Sequence, residues 1–227
     1  MQQDVYVIIP VYNEAPVIGA VVGAVSRVFS NIVCVNDGSY DDSAAEIVKT
    51  SAVLINHPFN LGQGAALKTG IDYALQDADA AYFITFDSDG QHQIADAVGM
   101  LEVLKEGAYD IVLGSRFLGR ADNISLIRAS VLKAAVAFSN LTTGVRLTDA
   151  HNGLRVFNRR YARQIDITMP GMAHATEFVH AIATGKFKYT ELPVTILYTE
   201  YSKKKSQSLF NSINIGFDLL MRRISKK

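Results

Sequence analysis

Short apolar runs alternate with helix-length segments throughout the first half of the chain. The first run, Val5 to Pro10, is apolar without interruption, which is typical of a strand buried on both faces of a sheet. Further strands are predicted at Ile32–Val35, Val53–Ile55, Tyr82–Phe86 and Asp110–Gly114, and helices up to Val28 and at Asp42–Thr50, Gly62–Leu75 and Ile94–Glu106. This alternation predicts parallel βαβ units, so the expected fold is a Rossmann-like α/β sheet, mostly parallel and sandwiched by helices.

The second half, after a soft boundary near residue 120, has a less regular pattern. Its predicted elements are an amphipathic helix at Leu126–Leu141, an irregular polar stretch at Thr142–Asn158, a helix near Ala173–Thr184, a strand at Tyr189–Tyr198 and an amphipathic helix at Ser208–Ile224. No repeat or flexible linker separates the two halves. We therefore predict one domain over residues 1–227.

Composition excludes several classes of protein. The 227 residues are 49% hydrophobic with a net charge of zero, unlike a disordered or nucleic-acid-binding chain. The single cysteine, Cys34, lies in an apolar run, so it is interpreted as a buried strand residue, and this fits a cytoplasmic protein. No apolar stretch is long enough to span a bilayer, and the N-terminus has no signal-peptide pattern. We expect a soluble or peripheral protein.

Two carboxylates one residue apart, Asp87 and Asp89, follow the predicted strand Tyr82–Phe86. Oxygen ligands at this spacing suit Mg²⁺ or Mn²⁺, which commonly keeps room for substrate phosphates, and Gln91 adds a further oxygen. The alternative is an ordinary solvated turn, because Asp, Ser and Gly are common turn residues. The position at a strand end, where parallel sheets bind ligands, favours the metal site.

Three other polar clusters follow predicted strands and are candidates for nucleotide binding. Pro10 to Glu14 brings an aromatic ring and a carboxylate, and Asn36 to Ser39 brings the carboxylate of Asp37. Helix capping and turn chemistry are the alternative role for both. The third cluster, Asn60 to Lys68, places glycines at a helix start, where backbone N–H groups can face phosphate. It lacks the dinucleotide and P-loop fingerprints, which disfavours a dehydrogenase or a P-loop ATPase.

Taken together, the clusters resemble the GT-A glycosyltransferases of family 2, in the branch of dolichyl- and polyprenyl-phosphate sugar synthases. The stretches that carry the resemblance are Ile9 to Glu14, Asn36 to Ser39, Asn60 to Gly64, Asp87 to Gln91, Gly114-Ser115-Arg116 and Asn152 to Arg155. The resemblance implies a GT-A fold, with residues 1–120 as the nucleotide-sugar half and 121–227 as the acceptor side. It also implies inverting, metal-dependent hexosyl transfer from a nucleotide sugar in cell-envelope polysaccharide synthesis.

The resemblance assigns roles to individual positions. The implied nucleotide-binding residues are Pro10, Tyr12, Glu14, Asp37, Gly62, Lys68 and Ser88, and the implied ligands of Mg²⁺ or Mn²⁺ are Asp87, Asp89 and Gln91. The implied contacts to the acceptor phosphate are Arg116, Arg128, Arg155 and Lys203, and Asp89, Arg116, Arg155 and Asp149 are the implied catalytic set. Arginine suits such a site because its planar fork binds phosphate oxygens in pairs. A solvated or carboxylate-paired side chain is the alternative for an isolated arginine, above all Arg128.

The acceptor decides which residues the chemistry needs. A polyprenyl phosphate is largely anionic at neutral pH and needs no strong base. A hydroxyl of a saccharide or lipid-linked saccharide needs a carboxylate base, and Asp149 and Glu177 are the candidates. A salt bridge or a cap that holds the loops of the site is the alternative role for each, and the favoured one. A third hypothesis is a catalytically silent nucleotide-sugar-binding subunit of a membrane complex.

The C-terminal part departs from the family pattern. Typical members carry an arginine and a glycine before a Ser-Lys pair, whereas this chain has Lys203–Lys205. These lysines would replace the missing phosphate contact, and a solvated face is their alternative role. The basic and apolar residues from there to the C-terminus suit a helix that lies on the cytoplasmic face of a membrane, or that packs on the domain, on a second copy or on a small membrane protein. UDP is favoured over GDP as the donor nucleotide, and self-association stays open.

Overall fold

A computed structural model describes residues 2–122, 126–169, 174–198 and 201. The strands are β1 Gln2–Val11, β2 Phe29–Asn36, β3 Val53–Asn56, β4 Tyr82–Thr85, β5 Ile111–Asp122, β6 Arg155–Asn158 and β7 Tyr189–Leu197. The helices are α1 Ala15–Val25, α2 Ser43–Val48, α3 Gln63–Leu75, α4 Ile94–Lys105, α5 Leu126–Thr143, α6 Arg159–Ala162 and α7 His174–Gly185. One seven-stranded sheet has the order β3-β2-β1-β4-β6-β5-β7, which confirms the predicted α/β fold with a mostly parallel sheet.

The parallel part of the sheet is built from the predicted apolar runs. β1 pairs in parallel with β2 on one side and with β4 on the other, and β2 pairs in parallel with β3. Val7 and Ile9 of β1 pack into the core on one face with α1 and α4, while Ile8 packs on the other face against α3. Because β1 is buried on both faces, it reads as a continuous apolar run.

The stretch Thr142–Asn158, predicted to be irregular, contains strand β6, so that prediction was wrong for residues 155–158. β6 lies between β4 and β5 and is antiparallel to both. Its four residues begin with a charged arginine and end with an asparagine that caps α6, so its sequence carries no strand periodicity. Pairing with two neighbours, rather than local preference, makes this segment a strand.

Aromatic rings fix β6 to the helices on one face of the sheet. Phe157 of β6 stacks on Phe83 of β4, with 5.8 Å between ring centroids, and lies 5.3 Å from the ring of Tyr161 in α6. Tyr161 donates a hydrogen bond of 2.7 Å to the main-chain oxygen of Phe178 in α7. All four side chains are fully buried, so this cluster ties the second half of the chain to the central strand of the first.

The predicted Lys203–Lys205 cluster and the helix Ser208–Ile224 lie outside the described residues, as does the side chain of Arg128. Among the described residues, no helix combines the length and the apolar character needed to cross a bilayer.

Replacing Phe157 with alanine is expected to lower the free energy of unfolding by about 3–5 kcal/mol, because the change leaves a cavity where three other rings meet. Urea unfolding followed by circular dichroism measures the loss. Leu141, 85% exposed on α5, supplies the control, and Leu141→Ala should change stability by less than about 0.5 kcal/mol. Equal losses in the two variants would contradict a structural role for the aromatic cluster.

Candidate active site

Four chain segments converge at one edge of the sheet. The carboxyl ends of the parallel strands β1, β2 and β4 lie at this edge. β6 is antiparallel, so its first residue lies at the same edge, where Arg155 pairs with Thr85 of β4. The predicted clusters at residues 10–14, 36–39, 87–91 and 152–155 are therefore brought together.

The acid pair, Asp87 and Asp89, follows β4 directly. Burial would raise the pKa of Asp87, but the His92 imidazole and the Arg155 guanidinium together lower it to about 2. Burial and the charge of Asp87 raise the pKa of Asp89 to about 6. The two carboxylates thus repel each other, and a divalent cation between them would relieve that repulsion.

The donor set fits Mg²⁺ or Mn²⁺ held jointly with substrate phosphates. Within the described ranges, no group of three or more His, Cys, Asp and Glu side chains is arranged to hold a metal ion. Two carboxylates suffice for Mg²⁺ when phosphates and waters complete the shell. Gln91 lies on the same turn, where its main-chain N–H donates to Asp89 over 3.1 Å and its carbonyl accepts from Leu197.

Arg155 is the most unusual side chain of the site. It is 1% exposed, and its Nε and Nη1 atoms have no hydrogen-bond partner within the described part of the chain. Burial lowers its pKa, whereas the carboxylate of Asp87 raises it, and the guanidinium lies 4.4 Å from the ring centroid of Phe178. Buried cations are normally paired, so a guanidinium with free N–H groups is suited to an anionic ligand.

Arg116, in contrast, is already paired. Its Nε donates to Asp149 Oδ2 over 2.6 Å and its Nη1 donates to the Tyr198 hydroxyl over 3.0 Å. Burial acts to lower the pKa of Arg116, but the carboxylate of Asp149 raises it. Asp149 is itself 1% exposed, so its carboxylate serves as the counter-ion of Arg116 in this structure.

Glu177, the other candidate base, is also engaged. Its Oε1 accepts hydrogen bonds from the main-chain N–H groups of Thr168 and Met169, each over 3.0 Å, and from the Thr168 hydroxyl. Both candidate carboxylates therefore have the salt-bridge or capping contacts that the sequence left as the alternative.

Asp37 organises the loop that leads into α3. Its carboxylate accepts from the main-chain N–H groups of Leu61 and Gly62, at 2.9 and 2.8 Å, and lies 2.7 Å from Nδ1 of His57. The side chain is almost fully buried. The same carboxylate that is a candidate for contacting the nucleotide thus holds the glycine-rich turn at the start of α3.

The turns after β1 and β2 are joined to each other. Asn13, whose φ of 54° lies in the left-handed region, donates its main-chain N–H to Ser39 Oγ and accepts from Tyr40 N–H. Tyr12, 38% exposed, meets the ring of Tyr40 edge-on. Glu14 is buried and accepts a 2.7 Å hydrogen bond from the Tyr201 hydroxyl, whose pKa is raised by burial and by that carboxylate.

Three further residues were predicted to bind the nucleotide, and they differ in burial and in their contacts. Pro10 is a buried residue of β1, one position before the strand ends at Val11, and Ser88 lies buried between the two acids. Lys68 instead forms an exposed ion pair with Asp72 one turn along α3, so its described contact is within its own helix.

Four neighbours of the site were not predicted. Gln63 and His92 contact Asp87, and Tyr198 contacts Arg116. A Cβ at Gly153 would lie 2.1 Å from Asp87 Oδ2 and would displace that carboxylate, and Thr85 donates to the Gly153 carbonyl over 2.6 Å. Gly153 and His92 each lie in or beside a recognised motif, which is the only signal that the sequence carries for them.

Comparisons with known proteins agree on one family. The model of "Glycosyl transferase family 2" matches residues 6–166. An uncharacterised protein of Methanocaldococcus jannaschii is 31% identical over 98% of this chain and 93% of its own length. The UDP-N-acetylglucosamine–dolichyl-phosphate N-acetylglucosaminyltransferase of Methanococcus voltae is 28% identical over 98% of this chain and 97% of its own length.

A solved structure supports the fold. Glucosyl-3-phosphoglycerate synthase from Mycobacterium tuberculosis, in complex with Mn²⁺, UDP and glucosyl-3-phosphoglycerate, superposes with a TM-score of 0.63. The match covers 89% of this chain and 74% of that one, at 14% sequence identity. At this identity the likeness concerns the fold alone.

The buried Arg116–Asp149 pair predicts the effect of Asp149→Asn. Removing one charge leaves the Arg116 guanidinium buried without its counter-ion, so the free energy of unfolding should fall by about 3–5 kcal/mol. Chemical unfolding measures the loss, and Asp79→Asn, at an exposed position, is the control. An Asp149→Asn protein of normal stability that has lost only its activity would instead indicate a catalytic base.

Proposed function

The chain belongs to glycosyltransferase family 2, and we propose that it transfers a sugar from a nucleotide sugar to a polyprenyl phosphate, with inversion at the anomeric carbon and dependence on a divalent metal. The observation that carries this proposal is Arg155, a buried guanidinium near the Asp87 carboxylate whose Nε and Nη1 have no hydrogen-bond partner among the described residues. A guanidinium near carboxylates that can bind a metal suits a reaction in which the donor diphosphate leaves while the acceptor phosphate attacks.

The donor side rests on the acid pair. Asp87 and Asp89, with Gln91, would hold Mg²⁺ or Mn²⁺ against the donor diphosphate. When bound, such a metal neutralises the charge that develops on the leaving diphosphate. Tyr12, Glu14 and Asp37 would contact the nucleoside, and the N-terminus of α3 at Gly62 would face phosphate. UDP is favoured because the structural relative binds UDP with Mn²⁺ and the Methanococcus voltae relative is named for a UDP-sugar.

The acceptor side rests on the arginines. A phosphate monoester carries its negative charge at neutral pH, so it attacks without a general base and needs only to be positioned. Arg155 has N–H groups that no described residue occupies, and Arg116, held by Asp149, would supply a further charge nearby. Arg128 and Lys203 stay candidates for the same role. Asp149 and Glu177 are both engaged elsewhere, which disfavours a hydroxyl acceptor.

The place of action follows from the acceptor. Polyprenyl phosphates lie in membranes, and the Methanococcus voltae relative is named for a dolichyl phosphate. We propose that the chain meets this lipid at a membrane surface, on the cytoplasmic side, with its C-terminal residues or a small membrane protein supplying the contact.

Asp89→Ala is expected to abolish transfer while the fold stays intact, because one lost ligand leaves the diphosphate charge uncompensated. The assay is a panel of UDP- and GDP-sugars with a short polyprenyl phosphate, read by mass spectrometry, with Mn²⁺, with Mg²⁺ and with a chelator. Asp79→Ala, an exposed acid ten residues earlier, is the matched control. Near-normal turnover of Asp89→Ala, or full activity in chelator, would overturn the metal assignment.

Arg155→Met is expected to separate stability from activity. Removing a buried, poorly paired charge should leave the free energy of unfolding unchanged or raise it by about 1–4 kcal/mol. Losing charged hydrogen bonds worth about 1.5–3 kcal/mol should lower kcat/KM roughly 10- to 100-fold.

Arg159→Met is the matched control for this variant. Arg159 donates to the main-chain oxygens of Leu75, Asp77 and Ala80, so its replacement should lower stability but leave kcat/KM of the folded enzyme unchanged. If Arg155→Met transfers sugar normally to polyprenyl phosphate, the proposed role of Arg155 is wrong. Transfer by the natural protein only to a saccharide hydroxyl would indicate the other acceptor class. Donor binding by the natural protein without any transfer would indicate a catalytically silent subunit.

A further inference from the structure

Asp87 is held from two sides, whereas its partner acid is not. Gln63, the first residue of α3, donates from Nε2 to Asp87 Oδ1 over 3.1 Å, and Nε2 of His92 lies 2.9 Å from Oδ2. Asp89 accepts from the main-chain N–H of Gln91 within its own turn, and no residue of another element contacts it among the described hydrogen bonds. One helix residue and one residue of the loop after β4 thus restrain the Asp87 carboxylate.

The proton of His92 must lie on Nε2. Nδ1 is buried and has no partner among the described residues, so a proton placed on Nδ1 alone would be an unsatisfied buried donor. It would also direct the Nε2 lone pair at a carboxylate oxygen 2.9 Å away. With the proton on Nε2, His92 donates to Oδ2 and takes one of its two lone pairs.

Packing alone does not explain a histidine at this position. The ring is 7% exposed and meets Phe86 edge-on at 5.4 Å, a contact that an apolar side chain would make equally well. Burying an imidazole costs free energy unless its polar atoms are paired, and the described partner is Asp87. The chain therefore keeps a polar ring here for its hydrogen bond.

We propose that His92 is a positioning residue that, together with Gln63, fixes the Asp87 carboxylate, so that each oxygen keeps a lone pair that a divalent cation could use. This inference rests on the proposed function, because it takes Asp87 as a metal ligand. Hydrogen bonds to ligating groups commonly change metal affinity 10- to 100-fold when they are lost.

The test compares substitutions that differ in one donor atom. The amide nitrogen of His92→Gln can take the position of Nε2, whereas His92→Met fills a similar volume without a donor. Mn²⁺ is titrated into the full chain with saturating UDP, and separately with GDP, and free Mn²⁺ is read by electron paramagnetic resonance. UDP and GDP affinities are also measured in chelator, and thermal unfolding reports whether each variant folds.

His92→Met should bind Mn²⁺ at least about tenfold more weakly than the natural protein, and His92→Gln should recover most of that loss. Nucleotide affinity in chelator should be the same in all three proteins, which a general distortion of the site would not allow. If His92→Met does not fold, His92→Asn replaces it, because its shorter amide falls at the Nδ1 position and should show the same loss.

The possible outcomes distinguish a failure of the role of His92 from a failure of the proposed metal dependence. No Mn²⁺ binding by the natural protein with either nucleotide would overturn the proposed metal dependence itself. Normal Mn²⁺ binding by the natural protein, with equal affinity in a folded His92→Met or His92→Asn, would overturn only the role of His92.

Discussion

The antiparallel insertion of β6 between β4 and β5 is the constraint on which the site depends. Because β6 runs against its neighbours, its first residue lies beside the last residue of β4, with Arg155 opposite Thr85. The loop before it then lies against Asp87, so that a side chain at position 153 would displace the Asp87 carboxylate. A parallel strand in the same place would carry this end to the opposite edge, far from the acids. The aromatic cluster around Phe157 maintains this arrangement.

The two arginines of the site differ in how their charges are paired within the folded chain. Arg116 has a carboxylate counter-ion and a tyrosine hydroxyl, so its burial stabilises the loops that it joins. Arg155 packs against the Phe178 ring, and within the part of the chain that the structure describes its Nε and Nη1 have no partner, so its burial is a cost to the folded chain. A cost of this kind at the edge where parallel sheets bind ligands is the expected sign of a binding residue.

Periodicity predicted most of the elements because the parallel strands and their helices bury continuous apolar faces. The strands at Val5–Pro10 and Tyr82–Phe86 were found within a few residues, and the recognised motifs led to the correct family. β6 was missed because its four residues, which begin with an arginine and end with an asparagine, show no hydrophobic periodicity. His92 was missed because a single histidine after a motif has many roles, and its hydrogen bond to Asp87 exists only in the folded chain.

The sequence by itself determined the fold class, the family and the set of polar clusters, since apolar periodicity and motif order are properties of the chain. Only the tertiary structure decided which members of those clusters are free to bind. It paired Asp149 with Arg116 and Lys68 with Asp72, and it left Arg155 without a hydrogen-bond partner at Nε and Nη1 among the described residues. The physical reason is that pairing and desolvation depend on neighbours that are distant in the chain, such as Asp87 and Arg155, which β6 alone brings together.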